Sequence, residues 1–140
     1  MAGRFQVIID SSVAVKWFSN EEKTPEAVEL RDQHIEGRAR LFTTSLLACE
    51  LANALRYKPD FDRNKLAQAM IFFFKLHLPE IPIDNQLMTR AADVAFKGNV
   101  TIYDAVPVAA ALVKKLECIT ADKDTQYAKL KPKGYPIILL

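Results

Sequence analysis

The chain has 140 residues, half of them apolar and 26% charged, with a formal net charge of +2. That length fits one domain spanning residues 1–140 and suffices to bury a core without disulfides or a structural metal, and the composition excludes a disordered chain. The charge is too small to identify a nucleic-acid binder, although it permits a local basic rim around an acidic site.

The first element is the run Val7-Ile8-Ile9, which ends abruptly in Asp10-Ser11-Ser12. A β-rich run of this length reads as a strand buried on both faces, which puts Asp10 where the strand opens towards a ligand. Ser12 is placed to cap a short helix from about 13 to 18. Thr24-Pro25-Glu26 offers a hydroxyl cap, a proline at the first helical position and an early acid, for a helix that runs to about 36 and stops at Gly37. Arg40-Leu41-Phe42-Thr43 is a weak second strand, and Thr44-Ser45 starts a helix to about 57. On that helix Leu47, Leu51, Ala54 and Leu55 form an apolar stripe, with Glu50, Asn53 and Tyr57 along a neighbouring face.

Lys58-Pro59-Asp60 breaks the pattern, and Asp62 caps a helix from about 63 to 76. Its Phe72-Phe73-Phe74 run covers roughly 200° of arc, wider than the stripe a surface helix gives to one core, so at least one ring is available to a partner. Glu80-Ile81-Pro82-Ile83 is a short strand whose proline suits a sheet edge. Asp84 then caps a helix from about 85 to 96 that Gly98 terminates. Thr101-Ile102-Tyr103-Asp104-Ala105 leads into an apolar helix to about 116, with Asp104 at its N-terminus and Pro107 tolerated because first-turn N–H groups lack partners. Glu117-Cys118-Ile119-Thr120 is the next strand, ending in Ala121-Asp122, and a short helix carries the chain past Tyr127 to a last strand at Pro136-Ile137-Ile138-Leu139. Strands separated by helices without a hairpin signal give a parallel sheet with right-handed crossovers, packed as an α/β/α sandwich.

Cys49 and Cys118 have no paired spacing that suggests zinc or a redox dithiol, and both read as small buried hydrophobes. The N-terminus lacks a basic segment followed by an apolar stretch, and no apolar run approaches the roughly 20 residues of a membrane span, so a cytoplasmic protein is expected.

In a parallel α/β sheet the ligand crevice lies beyond the carboxyl ends of the strands, where the strand order reverses. Asp10 and Asp122 each follow a strand, Asp104 opens the helix before the Asp122 strand, and Glu50 rides the helix after the second strand. These acids are therefore candidates to converge on one pocket. Crowded carboxylates repel and hold protons more tightly unless a cation neutralises them. An oxygen-only set favours Mg²⁺ or Mn²⁺ over zinc, and two such ions suit phosphodiester hydrolysis. Asp124, two residues beyond Asp122, is a helix cap or an outer neighbour of the same rim.

Taken together, Val7 to Ser12, Thr44 to Leu55, Tyr103-Asp104-Ala105 and Ile119-Thr120-Ala121-Asp122 resemble the PIN-domain family, in particular the VapC-type toxins of toxin–antitoxin pairs, over essentially the whole chain. The resemblance implies a metal-dependent endoribonuclease with a five-stranded parallel sheet in the order 3-2-1-4-5. It implies that Asp10, Glu50, Asp104 and Asp122 hold Mg²⁺ or Mn²⁺, that Ser11 and Thr120 orient carboxylates or water, and that Asn53 accompanies Glu50. It further implies an RNA substrate, a homodimer and a VapB-like antitoxin lying along a groove near the active site. Trp17, Phe18 and Phe72, Phe73 and Phe74 are assigned to partner surfaces, while Lys16 and Lys123 are placed to meet RNA phosphates.

The same fold would also serve a housekeeping RNA-processing nuclease or a non-catalytic RNA- or protein-binding subunit. The crowded acids argue against the second of these, since an idle site has no need of them. A phosphoaspartate phosphatase would need an acid where Ser12 stands, and a receiver domain would need a lysine after a late strand.

Overall fold

A computed structural model describes residues 4–140. Five parallel strands, β1 (Phe5–Ile9), β2 (Ala39–Thr44), β3 (Glu80–Ile81), β4 (Cys118–Thr120) and β5 (Ile137–Leu139), form one sheet in the order 3-2-1-4-5. All four strand pairings are parallel, and β1 stands at the centre, with Ile8 opposite Cys118 and Ile9 opposite Ile119. The ladder reaches Asp10, whose N–H donates to the Ile119 carbonyl at 2.9 Å.

The connections are α1 (Ser11–Val15), α2 (Thr24–Ile35), α3 (Ser45–Arg56), α4 (Arg63–Lys75), α5 (Asn85–Gly98) and α6 (Ile102–Lys114). After β4 a π-helical turn (Lys123–Tyr127) runs into α7 (Ala128–Leu130) and a 3₁₀ turn (Lys131–Lys133). Because side chains alternate across a strand, β1 feeds two cores. Val7 and Ile9 join Leu41, Ile119 and the inner faces of α1 to α4, while Ile8 joins Phe42, Cys118, Ile137 and the inner faces of α5 and α6. This is the expected three-layer α/β/α arrangement.

Several local expectations change. Asp10, not Ser12, caps α1, its carboxylate accepting the Ser12 N–H at 3.0 Å. Lys23, in the left-handed region at φ 69°, precedes α2, and the Thr24 hydroxyl closes the loop before it, accepting from Glu21 N–H and donating to the Ser19 carbonyl. Asp62 and Asp84 cap α4 and α5 as expected. Gly98 lies inside α5 rather than ending it, and Asn99 at φ 54° makes the turn. A Cβ at Gly98 would run into the buried Leu130 side chain, so close packing, not the turn, explains the glycine. Pro107 is the sixth residue of α6, beyond the first turn, so it removes the helical bond to the Tyr103 carbonyl. Cys118 is buried as expected, but Cys49 is exposed, because it sits on the solvent side of α3.

On α3 the buried set is Leu47, Leu51 and Leu55, whereas Ala54 is exposed. The stripe is thus narrower than the sequence pattern, because the next face of the helix opens on the site described below. Leu51→Ala is expected to cost about 2–5 kcal/mol, from lost burial and the cavity left behind. Ala54→Ser should stay within about 0.5 kcal/mol of the parent. Urea unfolding midpoints of the two variants check this directly.

Candidate active site

Asp10 and Asp122 follow adjacent strands at the point where the strand order reverses, which in parallel α/β sheets is where the ligand crevice lies. Asp10 is buried, with 6% of its surface exposed. One oxygen accepts the Ser12 N–H, and the other accepts the Gln126 side-chain amide at 3.4 Å. Asp122 caps the π-helical turn with both oxygens, accepting from the N–H groups of Thr125 at 3.1 Å and Gln126 at 3.2 Å. Asp104 is held in the first turn of α6, where Thr101 caps the helix by accepting its N–H at 3.1 Å. Glu50, half-buried on α3, has neither a hydrogen bond nor an ion pair among the described residues.

The acids act on one another. Burial pushes the Glu50 carboxyl up to about 7, and the negative charges of Asp10 and Asp104 add to the effect. Burial also raises Asp104, reinforced by Asp10 and Asp122 and partly offset by the Thr101 hydrogen bond and Lys129. Asp10 is raised chiefly by burial, against the lowering influence of the Ser12 and Gln126 hydrogen bonds, and Asp122 contributes repulsion. The tertiary structure therefore brings Asp10 and Asp104 close enough to Glu50 for their charges to act on it, and Asp122 close enough to act on Asp10 and Asp104.

Among the described residues, no three Asp, Glu, His or Cys side chains converge closely enough to share one ion as they stand. The donors are carboxylate oxygens, which suit a hard ion, and Mg²⁺ is commonly held by one or two carboxylates while keeping several waters. A hydrated ion on this rim fits the donor set, whereas a closed protein cage does not.

The other expected site residues fall in distinct places. Ser11, Glu50, Asn53 and Tyr103 line one cavity of about 630 Å³ together with Leu46, Cys49 and Ala54. Lys16 and Lys123 line a second, of about 400 Å³, with Asp122 and Asp124. Lys16 is not a free cation, since its ammonium donates to the Glu22 carbonyl at 2.6 Å and pairs with Glu21. Thr120 is fully buried and touches no carboxylate. Its hydroxyl accepts the Asp122 N–H at 3.0 Å and donates to the Gln126 amide oxygen at 2.6 Å.

Away from the acids, a cavity of about 370 Å³ is lined by Trp17, Phe18, Phe61, Phe72, Arg31 and Lys65, among others. Phe72 (41% exposed) and Phe74 (54%) are open to solvent, but Phe73 (4%) belongs to the core. Trp17 likewise departs from the assignment to a partner surface. It is buried in the α1 to α4 core, and its indole N–H donates to the Ala27 carbonyl at 2.8 Å. The helix turns too far over three consecutive residues to expose all three rings, and the indole found an internal acceptor.

The sequence reading missed two residues. Gln126 is fully buried among the acids, and Lys129 lies near enough to Asp104 to lower its pKa. Gln126 stands four residues after a capping acid, but nothing local shows that a π-helical turn will point it inward.

A family model described as PIN domain matches residues 7–131. Among solved structures, DNA-bound VapBC from Salmonella typhimurium is 18% identical with a TM-score of 0.68, covering 96% of this chain and 98% of that one. A toxin–antitoxin complex from Klebsiella pneumoniae is 15% identical with a TM-score of 0.65, covering 94% and 95%. A sarcin-ricin loop cleaving VapC toxin from Mycobacterium tuberculosis is 12% identical with a TM-score of 0.69, covering 89% and 95%. These likenesses establish the shared fold. Among curated proteins no sequence matches.

The raised carboxyls have a consequence for stability. In the folded state Glu50 holds its proton up to about 7, against 4.5 when unperturbed, so between those values the folded protein binds more protons than the unfolded chain. The metal-free protein should therefore lose stability as pH rises through that window. Thermal unfolding of wild type and Glu50→Gln across it provides the check, with a shallower fall expected in the variant.

Proposed function

Given that this chain belongs to the PIN-domain family, we propose that it is a metal-dependent endoribonuclease and the toxin of a VapBC-type toxin–antitoxin pair. The observation that carries the reading is the gathering of acids at the strand-order reversal, where Asp10 is buried at the end of β1 beside Asp122, and Glu50 and Asp104 are raised first by burial and then by the charge of Asp10. A protein gains nothing in stability from buried acids that raise one another's pKa, and a divalent cation resolves the conflict.

Asp10, Glu50, Asp104 and Asp122 would hold Mg²⁺ or Mn²⁺. A divalent ion there supplies positive charge against the scissile phosphate and activates water for attack. The chain's own part is to fix the geometry. Hydrogen bonds to Asp10 and Asp122 hold those carboxylates at the ends of β1 and β4, and each oxygen keeps lone pairs to spare. Glu50, with no hydrogen-bond or ion-pair partner among the described residues, is free to adjust from the α3 side. Ser11 and Asn53 share the cavity that Glu50 lines and can hydrogen-bond the substrate or a water. Lys123 lines the cavity on the Asp122 side, where the phosphate backbone can approach. Lys16, already tied to Glu21 and Glu22, contributes mainly by holding the loop after α1.

The solved relatives include toxin–antitoxin complexes, which supports a VapB-like antitoxin as partner. The aromatic cavity bordered by Phe18, Phe61 and Phe72 is the face assigned to it. We also assign a homodimer, a cytoplasmic location and a single PIN-like domain over residues 1–140.

The purified protein is expected to cleave RNA with Mg²⁺ or Mn²⁺ and to lose cleavage in EDTA. Asp10→Asn and Asp104→Asn should abolish cleavage while leaving the circular dichroism spectrum unchanged. Cleavage that persists in EDTA or in either variant would sink the metal mechanism.

Expression alone should arrest growth, and co-expression with the cognate antitoxin should restore it. Growth without arrest, alongside intact ribonuclease activity, would instead point to housekeeping RNA processing.

A further inference from the structure

Gln126 is fully buried, and its side chain meets three of the acid-bearing segments at once. The amide nitrogen donates to the Asp104 carbonyl at 2.9 Å and to the Asp10 carboxylate at 3.4 Å. The amide oxygen accepts the Thr120 hydroxyl at 2.6 Å, and the Gln126 backbone N–H donates to Asp122.

The surrounding bonds fix which way the amide faces. The Thr120 oxygen accepts the Asp122 N–H, so its own proton is directed to Gln126. A flipped amide would set its oxygen against two acceptors, the Asp104 carbonyl and the Asp10 carboxylate, and leave its N–H groups facing a hydroxyl. Ser12 closes the other side of the network, its hydroxyl accepting the Ala121 N–H at 2.9 Å and lying 3.3 Å from the Thr120 oxygen. Every polar atom of the Gln126 side chain thus has a partner. A buried amide is retained only where such bonds offset its loss of water.

We infer that Gln126 is a positioning residue, which sets the Asp10 carboxylate and the start of α6 relative to β4 so that the acids stay on one rim around a hydrated ion. The inference rests on the metal-dependent reading proposed above. Three features set Gln126 apart from an ordinary core amide. Its side chain donates to the carboxylate of one candidate metal ligand and to the backbone carbonyl of a second, and its backbone N–H donates to a third. The wide π-helical turn that begins after Asp122 is what directs the side chain inward.

The test is Mn²⁺ binding to the full chain, followed by electron paramagnetic resonance of free Mn²⁺, beside the thermal unfolding temperature. Gln126→Met keeps the volume and removes both donors. Its Mn²⁺ affinity is expected to fall roughly 10–100-fold, the range found when a partner of a metal ligand is lost. Leu130→Ala is the structural control, since Leu130 is buried in the same C-terminal segment but bonds no acid. It should lower the unfolding temperature and leave Mn²⁺ affinity unchanged. Thr120→Val, which frees the amide to turn and also removes the acceptor of the Asp122 N–H, should weaken Mn²⁺ binding too, with a combined loss in Gln126→Met/Thr120→Val smaller than the sum of the two.

Wild-type affinity in Gln126→Met, or an equal loss in Leu130→Ala, would overturn the positioning role. If Gln126→Met does not fold, Thr120→Val decides, and unchanged Mn²⁺ affinity in that variant refutes the inference. Wild-type protein that binds no Mn²⁺ in an Asp10-dependent way would remove the functional reading itself, and the positioning role with it.

Discussion

Carboxylates gathered at one rim repel each other, and the fold must hold them there against that force. Glu50, Asp104 and Asp10 all bind protons more tightly than free acids do, chiefly because they are buried and in part because of their neighbours' charge. Two kinds of constraint oppose the repulsion. The parallel ladder between β1 and β4 fixes the backbone at Asp10 and leads directly to Asp122. Helix starts then hold Asp104 and Asp122 by their own N–H groups or carboxylates. Elements elsewhere in the chain serve mainly to bury the strands that carry these acids.

The polar core behind the acids differs in kind from the apolar core around it. Thr120, Ser12 and Gln126 join residues more than 100 positions apart in the chain, Ser12 to Thr120 and Asp10 to Gln126. Such a network is strong when every member is satisfied and costly when one is lost. A second division runs between this rim and the aromatic face of α1, α2 and α4. That face carries Phe18, Phe72 and basic side chains including Arg31 and Lys65, with Arg31 over the Phe72 ring. Apolar area edged with positive charge suits a partner segment that is itself apolar and acidic.

The regular elements were legible because their signals are local. A β-rich run followed by a capping acid, and apolar residues at helical spacing, do not need the rest of the chain to be read. Asp10, Asp104 and Asp122 were legible for the same reason, since each ends a strand or opens a helix, whereas Glu50 lies in the middle of α3 and the resemblance, not a cap or a strand end, singled it out. Cap assignments at Ser12 and Thr24 failed because several neighbouring hydroxyls and acids compete for the same N–H groups, and the outcome depends on how the chain enters the helix. Gly98 was misread as a stop, since its proximity to Leu130 is invisible along the sequence.

The sequence by itself determined the succession of strands and helices along the chain and placed Asp10 and Asp122 at strand ends and Asp104 at a helix start. Periodicity, caps and strand ends express physics that acts over a few residues. Only the tertiary structure decided which of three consecutive phenylalanines is buried, that Trp17 turns inward, and that Gln126 stands behind Asp10. Those outcomes depend on what packs against a side chain from distant segments. In Gln126 they depend also on a π-helical turn that no local pattern announces.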